Sequence, residues 1–267
     1  MKKNQLKLYI LFIAGTLLFI PINAMAANDA ASLEKSVNEL LTAKDSADST
    51  LSPEEELGHR KNIVISASKL ALDEINSFRD KINGIQIVSE DYKNQKASLL
   101  TSLDDLTAHY NGVMKTANDI NDIEKIKDLA ATEKKYRENE YIVATNKVIE
   151  FIMVFQTESL VRSAEVRYDK IMSNLNTLEK ANLISATSYS KEMSDSRESI
   201  IAARSLIEKS KASLLPKKEE VAIQALTFNK VAAPTAEELR AASIVNLKSA
   251  YENFLKISAS VKKTLGR

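Results

Sequence analysis

Cysteine is absent from the 267-residue chain. That excludes disulfide staples, thiolate metal sites, cysteine nucleophiles and a lipid-modified N-terminal cysteine. Proline and glycine are almost as scarce, with four and five residues, and Pro21 and Gly15 fall in the first 26 positions. A chain so poor in turn formers builds few, long elements. Histidine occurs twice, at His59 and His109, with no H-E-x-x-H or H-x-H pattern around either. A shared zinc site would need both rings and nearby carboxylates, so the spacing predicts two unrelated surface or seam-edge histidines and no metal. G-x-S-x-G, a supported S-x-x-K, a glycine-rich phosphate loop and a dinucleotide fingerprint are all missing. Asp119-Ile120-Asn121-Asp122 starts like a calcium loop but lacks the glycine at position six and the glutamate at position twelve, so it reads as a cap and turn.

Neither sign of charge dominates. The chain holds 37 basic and 36 acidic residues, interspersed throughout. A nucleic-acid binder shows a basic excess or block, so capture of nucleic acid is not expected. Acidic residues stand at helical spacing beside bases, as in Asp122-Ile123-Glu124-Lys125-Ile126-Lys127, the pattern of a solvated helix face.

What is present begins with Met1–Ala26. Lys2, Lys3 and Lys7 precede an apolar run from Leu8 to Ile20, and Ala24-Met25-Ala26 closes it. A positive start, a short apolar core and an A-x-A site form a secretory signal peptide, predicted to be cleaved after Ala26. The protein is therefore expected to be secreted, periplasmic or on the cell surface. Removing the three leader lysines from the 37 bases leaves 34 against 36 acids, a formal charge of −2. No later stretch is long enough to span a bilayer; Val148–Phe155 is the most apolar and contains Glu150.

The remaining periodicity is helical. Leu33, Val37, Leu40 and Leu41 mark a short first helix, and Asp45–Ser52 reads as a linker. Ser52-Pro53-Glu54-Glu55 is a capping box with proline at the first helical position. The helix it opens carries Val64, Ala67, Ala71, Ile75, Phe78 and Ile82, with Gly84 as a left-handed cap. From Ser89 a further helix carries Leu99, Leu103, Leu106, Tyr110, Val113, Ala117 and Ile120 in alternating steps of four and three, the seam of a coiled coil. Gly112 lies inside that register and is read as helical, at a cost of about 1 kcal/mol.

After a turn at Asn118–Asp122, no glycine or proline interrupts Ile123–Lys180, which predicts one helix on the order of 85 Å long. Its later seam is Val161, Ala164, Tyr168, Ile171, Leu175 and Leu178, and Asn182 ends it. The next helix repeats Met193, Ile200, Ile207 and Leu214, with Ser196, Ala203 and Ser210 between, so large and small residues alternate and a neighbour can approach closely. Pro216 is expected to kink it, with Lys217–Asn229 continuing at an angle. Ala232-Ala233-Pro234 is a break, Thr235 and Glu238 form a second capping box, and Leu247, Ala250, Phe254, Ile257 and Val261 line the last helix. The fold expected is all-α: an elongated antiparallel bundle of coiled-coil hairpins with one very long central helix. Its divisions are a signal peptide over 1–26, a short helix and linker over 27–52, an N-terminal sub-bundle over 53–160 and a C-terminal hairpin sub-bundle over 161–267.

Leu160, Arg162, Arg167-Tyr168-Asp169-Lys170-Ile171, Leu175, Leu178-Glu179, the run Ser190–Leu214, Leu239-Arg240, Leu247, Ala250-Tyr251 and Phe254–Val261 together resemble an uncharacterised exported helical-hairpin family of bacteria with reduced genomes. The resemblance covers roughly the last 110 residues and consists mostly of heptad pattern. Such proteins carry glycine at the hairpin turn; here Asn182 stands there, and asparagine also tolerates the left-handed conformation. The family implies no known activity.

Tyr136 and Tyr141 flank the charged run Glu133–Glu140, ahead of Val148, Phe151, Ile152 and Phe155. These aromatics are expected to line the core, the other reading being an exposed partner site. No residue qualifies as catalytic, cofactor-binding or metal-ligating, and no cofactor is implied. The expectation is a non-catalytic exported protein of the cell envelope or exterior that binds a protein partner or its own copies through helix faces. A membrane-active, pore-forming helical protein is the alternative, and a hydrolase with paired carboxylates is a third reading that would need a cleft.

Overall fold

A computed structural model describes residues 33–35, 37–39, 41, 52–215 and 234–266. The fold is all-α, with no strand among the described residues. The leader, the linker up to residue 51, the kink at Pro216, the continuation over 217–229 and the break at Ala232-Ala233 lie outside them. Described positions between 33 and 41 are helical, and Leu33 is buried.

Helix α1 runs Pro53–Asn83, α2 Glu90–Asp119, α3 Ile123–Tyr136, α4 Ile142–Lys180, α5 Ser190–Leu214 and α6 Ala236–Thr264. A wide π turn, Arg137–Tyr141, joins α3 to α4 without a break, so the helix expected over 123–180 is continuous. A 3₁₀ turn, Ala186–Tyr189, precedes α5. Two compact units result: residues 1–86 with 96–148, and residues 87–95 with 149–267. The division near the middle of the long helix falls at Val148–Ile149, ahead of position 160 read from the pattern, because Val154 and Val161 already pack with α5 and α6 residues.

In the first unit α1, α2 and α3 are successively antiparallel. Arg79 near the end of α1 meets Asp104 of α2 at 2.5 Å, while Lys61 near its start donates to the Asn118 carbonyl at the end of α2 (2.9 Å). Val64 of α1, Val113 and Ala117 of α2 and Ile126 of α3 form one buried cluster. The α2 seam is buried from Leu99 to Ala117, and Gly112 is helical. The α1 seam passes through Ser68 rather than Ala67, and the Ser68 hydroxyl returns its hydrogen to the Val64 carbonyl (2.9 Å). Ser52 and Glu55 close their capping box in both directions, with bonds of 3.2 and 2.9 Å.

Gly84 corrects an expectation. It ends α1 with φ −67° and ψ −14°, a right-handed conformation, not a left-handed one. The Gly84 and Ile85 backbone N–H groups donate to the Asp80 and Ile82 carbonyls at 3.0 and 3.1 Å, and Lys96 donates to the Asn83 and Ile85 oxygens at 3.1 and 3.0 Å. A long cation thus supplements the helix's own last bonds at its C-terminus, where positive charge is favoured.

In the second unit α4, α5 and α6 are also successively antiparallel, so α4 and α6 run parallel. The α4 helix ends in a Schellman turn. Asn182, at φ 56°, donates to Glu179 (2.8 Å), and Leu183 donates to Leu178 (3.0 Å). Along α5 the alternation holds: Met193, Ile200 and Ile207 are buried and Leu214 is half-buried, while Ser196, Ala203 and Ser210 have no exposed surface. Helix α6 answers with Ala236, Ser243 and Ala250, also at seven-residue spacing and buried. Small residues facing small residues let the two backbones come close enough for side chains to bond across. The Ser210 hydroxyl donates to the Ala236 carbonyl (2.8 Å) and the Ser243 hydroxyl to that of Ala203 (2.9 Å). Residues 87–95 belong here because the Tyr92 ring packs edge-on to Phe155 at 5.7 Å, beneath the Lys211 ammonium.

Candidate functional site

Polar and aromatic groups converge in two places. The first lies in the N-terminal unit, where the π turn passes α1 and α2. Tyr141 is buried and donates its hydroxyl hydrogen to the Glu74 carboxylate of α1. Burial raises the Tyr141 phenol well above its ordinary value, and the negative charge of Glu74 raises it further. Tyr110 of α2 is likewise raised by burial, and its ring meets that of Tyr141 edge-on at 5.5 Å. The Arg137 guanidinium sits over the Tyr141 ring at 4.8 Å. Alongside, His109 of α2 stacks on Tyr136 of α3 with centroids 3.4 Å apart, and its Nε2 lies 2.8 Å from a Glu133 oxygen.

The wide turn makes this possible. Ile126 and Tyr141 both face the core, and inserting one turn with i→i+5 bonding rephases the helix between them. Tyr141 therefore lines the core, as the residue pattern predicts, while Tyr136 stays half-buried at its edge. The remainder of that apolar run, Val148, Phe151, Ile152 and Phe155, is buried too. Chemically the cluster is a set of paired groups. Each acid already has a donor and each ring a neighbour, and its effect is to lock three helices in register.

The two histidines have separate partners. His59 lies 3.5 Å from Glu39, while His109 belongs to the Tyr136 stack. Among the described residues no three His, Asp or Glu side chains converge as a metal site would need. Asp122 is a helix cap, accepting from the Lys125 backbone at 3.0 Å, and this bond holds its carboxyl below its ordinary value. Among the described residues no helix is long and apolar enough to cross a membrane.

The second place is an open groove in the C-terminal unit, between the later half of α4 and the later half of α6. Its floor is apolar, from Ile171 and Leu175 of α4 and Phe254 and Ile257 of α6. On its edges stand Val166 and Leu255, which are 69% and 67% exposed. Arg167, Lys170 and Lys262 complete the rim, and no carboxylate lines it. Arg167 lies over the Tyr251 ring at 5.7 Å. Three other cations of this unit are paired: Lys211 with Glu158 (3.2 Å), Arg162 with the same carboxylate (2.6 Å), and Arg204 with Glu165.

The groove was not foreseen. Its cause is geometric: α5 and α6 close on small residues, while α4 meets them through Tyr168 and Ile171, which hold it off. A search of protein-family models, curated proteins and solved structures finds no match to this chain.

Proposed function

We propose that the protein is an exported, non-catalytic helical protein of the cell envelope or exterior that acts by binding another protein through a helix face. One observation carries the reading: the open apolar groove between α4 and α6, edged by the exposed Val166 and Leu255. Exposed apolar side chains gathered along one channel are the usual mark of a partner site. The leader at Met1–Ala26 supports export. The uncharacterised helical-hairpin family that the last 110 residues resemble is exported as well and has no assigned reaction.

The test is photo-crosslinking on living cells that express the full chain. A photoreactive residue at Val166 or Leu255 should give a discrete adduct, and one at the exposed Lys115 of α2 should not. Mass determination of the released protein should show a chain beginning at Ala27. Absence of any adduct from the two groove positions would refute the binding role, and recovery of the intact leader would refute cleavage.

A further inference from the structure

The groove also specifies the chemistry of its occupant, and the following rests on the binding role just proposed. We infer that it receives an acidic amphipathic helix from a partner protein. The floor asks for apolar anchors. From Ser163 to Leu178 the α4 edge is roughly 22 Å long at 1.5 Å per residue, which accommodates about four helical turns. A helix presenting apolar residues at i, i+3, i+4 and i+7 fills such a channel and would complete a four-helix bundle with α4, α5 and α6.

Charge decides the rest. Arg167, Lys170 and Lys262 line the rim, and none forms an ion pair among the described residues. The lining therefore carries charge of one sign only, in a chain whose 37 bases are matched by 36 acids. Glutamate or aspartate flanking the apolar stripe of the incoming helix would meet all three cations, which raises association rate and sets register. A second copy of this chain is a poorer occupant. A two-fold contact brings the same patch onto itself, so the three cations would face their own images.

The experiment is selection with the full-length protein from a library of helical peptides. Apolar stripe positions are fixed, and flanking positions vary among Glu, Gln and Lys. Enrichment of Glu is expected. The winning peptide should bind Lys170→Glu/Lys262→Glu and Leu255→Glu at least tenfold more weakly than wild type, and bind more weakly as salt rises. These positions lie on the open rim, so circular dichroism should show the variants folded. Enrichment of Lys or Gln overturns the inference, as does binding that ignores the groove variants, while leaving the broader binding role standing. Concentration-dependent self-association abolished by Leu255→Glu overturns it in favour of a dimer. No enriched peptide overturns it alone if crosslinks from Val166 and Leu255 persist, and overturns the binding role too if they do not.

Discussion

Three single substitutions test the backbone directly, because each converts a dihedral angle into the sign of a stability change. Gly112 lies in the interior of α2, and a β-carbon built there meets nothing within 4 Å. Gly112→Ala should therefore stabilise by about 1 kcal/mol, the usual glycine-to-alanine gain in a helix. Gly84 discriminates more sharply. In its right-handed conformation a β-carbon would lie 3.6 Å from the Asp80 and Lys81 carbonyl oxygens, an ordinary contact. Gly84→Ala should be neutral or stabilising by up to about 1 kcal/mol through loss of unfolded-state freedom. Were the residue left-handed, the same change would cost about 1–2 kcal/mol. Asn182 at φ 56° is the contrasting case, where Asn182→Ala should cost on the order of 1 kcal/mol. Urea unfolding followed by far-ultraviolet circular dichroism reads all three. A change of about 1 kcal/mol also moves the thermal midpoint by roughly 2–4 °C in a chain of this size. A destabilising Gly84→Ala would refute the right-handed end of α1, and a destabilising Gly112→Ala would refute the unbroken α2.

Ala203→Leu should destabilise by about 1–3 kcal/mol, because the added carbons enter the close approach of α5 and α6; protease cleavage within 190–264 should then quicken. Tyr141→Phe should cost about 1–3 kcal/mol by leaving Glu74 without its donor, measured by the shift of the urea midpoint. Hydrogen bonds from the Ser52 and Lys125 backbones hold Glu55 and Asp122 below their ordinary values of 4.5 and 3.8. A depressed folded value means that their contribution is complete above the ordinary value and fades as pH falls through the folded one. Acidification from about pH 5 downward should thus lower the urea midpoint, and Asp122→Asn should flatten that slope by keeping a cap that does not titrate.

Much of the helical frame was legible because local chemistry and tertiary packing agree. Ser52 and Thr235 both close the capping boxes that their sequences announce. The alternation of Met193, Ile200 and Ile207 with Ser196, Ala203 and Ser210 is buried throughout, since a seven-residue repeat leaves one face to bury. Asn182 adopts the positive φ that a Schellman turn demands. Gly84 misled because glycine permits the left-handed state without requiring it: backbone N–H groups reach Asp80 and Ile82 from the right-handed state, and Lys96, thirteen residues after Asn83, reaches the Asn83 carbonyl. The π turn left no trace, as Arg137–Tyr141 contains no glycine or proline and its bulge follows from the demand to turn Tyr141 inward. Neither the Glu74–Tyr141 pair nor the groove was visible, because each depends on distances between helices. Heptads state that a helix has a partner, but not how far away it lies.

The two serine hydroxyls that bridge α5 and α6 have a consequence for fidelity. A zipper with evenly repeated teeth can close one notch too high or too low and still engage every tooth. Grease alone would scarcely distinguish a hairpin slipped by seven residues from the correct one. A main-chain oxygen recurs at every notch, so Ser210 and Ser243 would find an acceptor after that slip as well. What the two hydroxyls penalise is a gap: any setting that parts the rods strands both donors at positions with no exposed surface, so the zipper closes tightly or not at all.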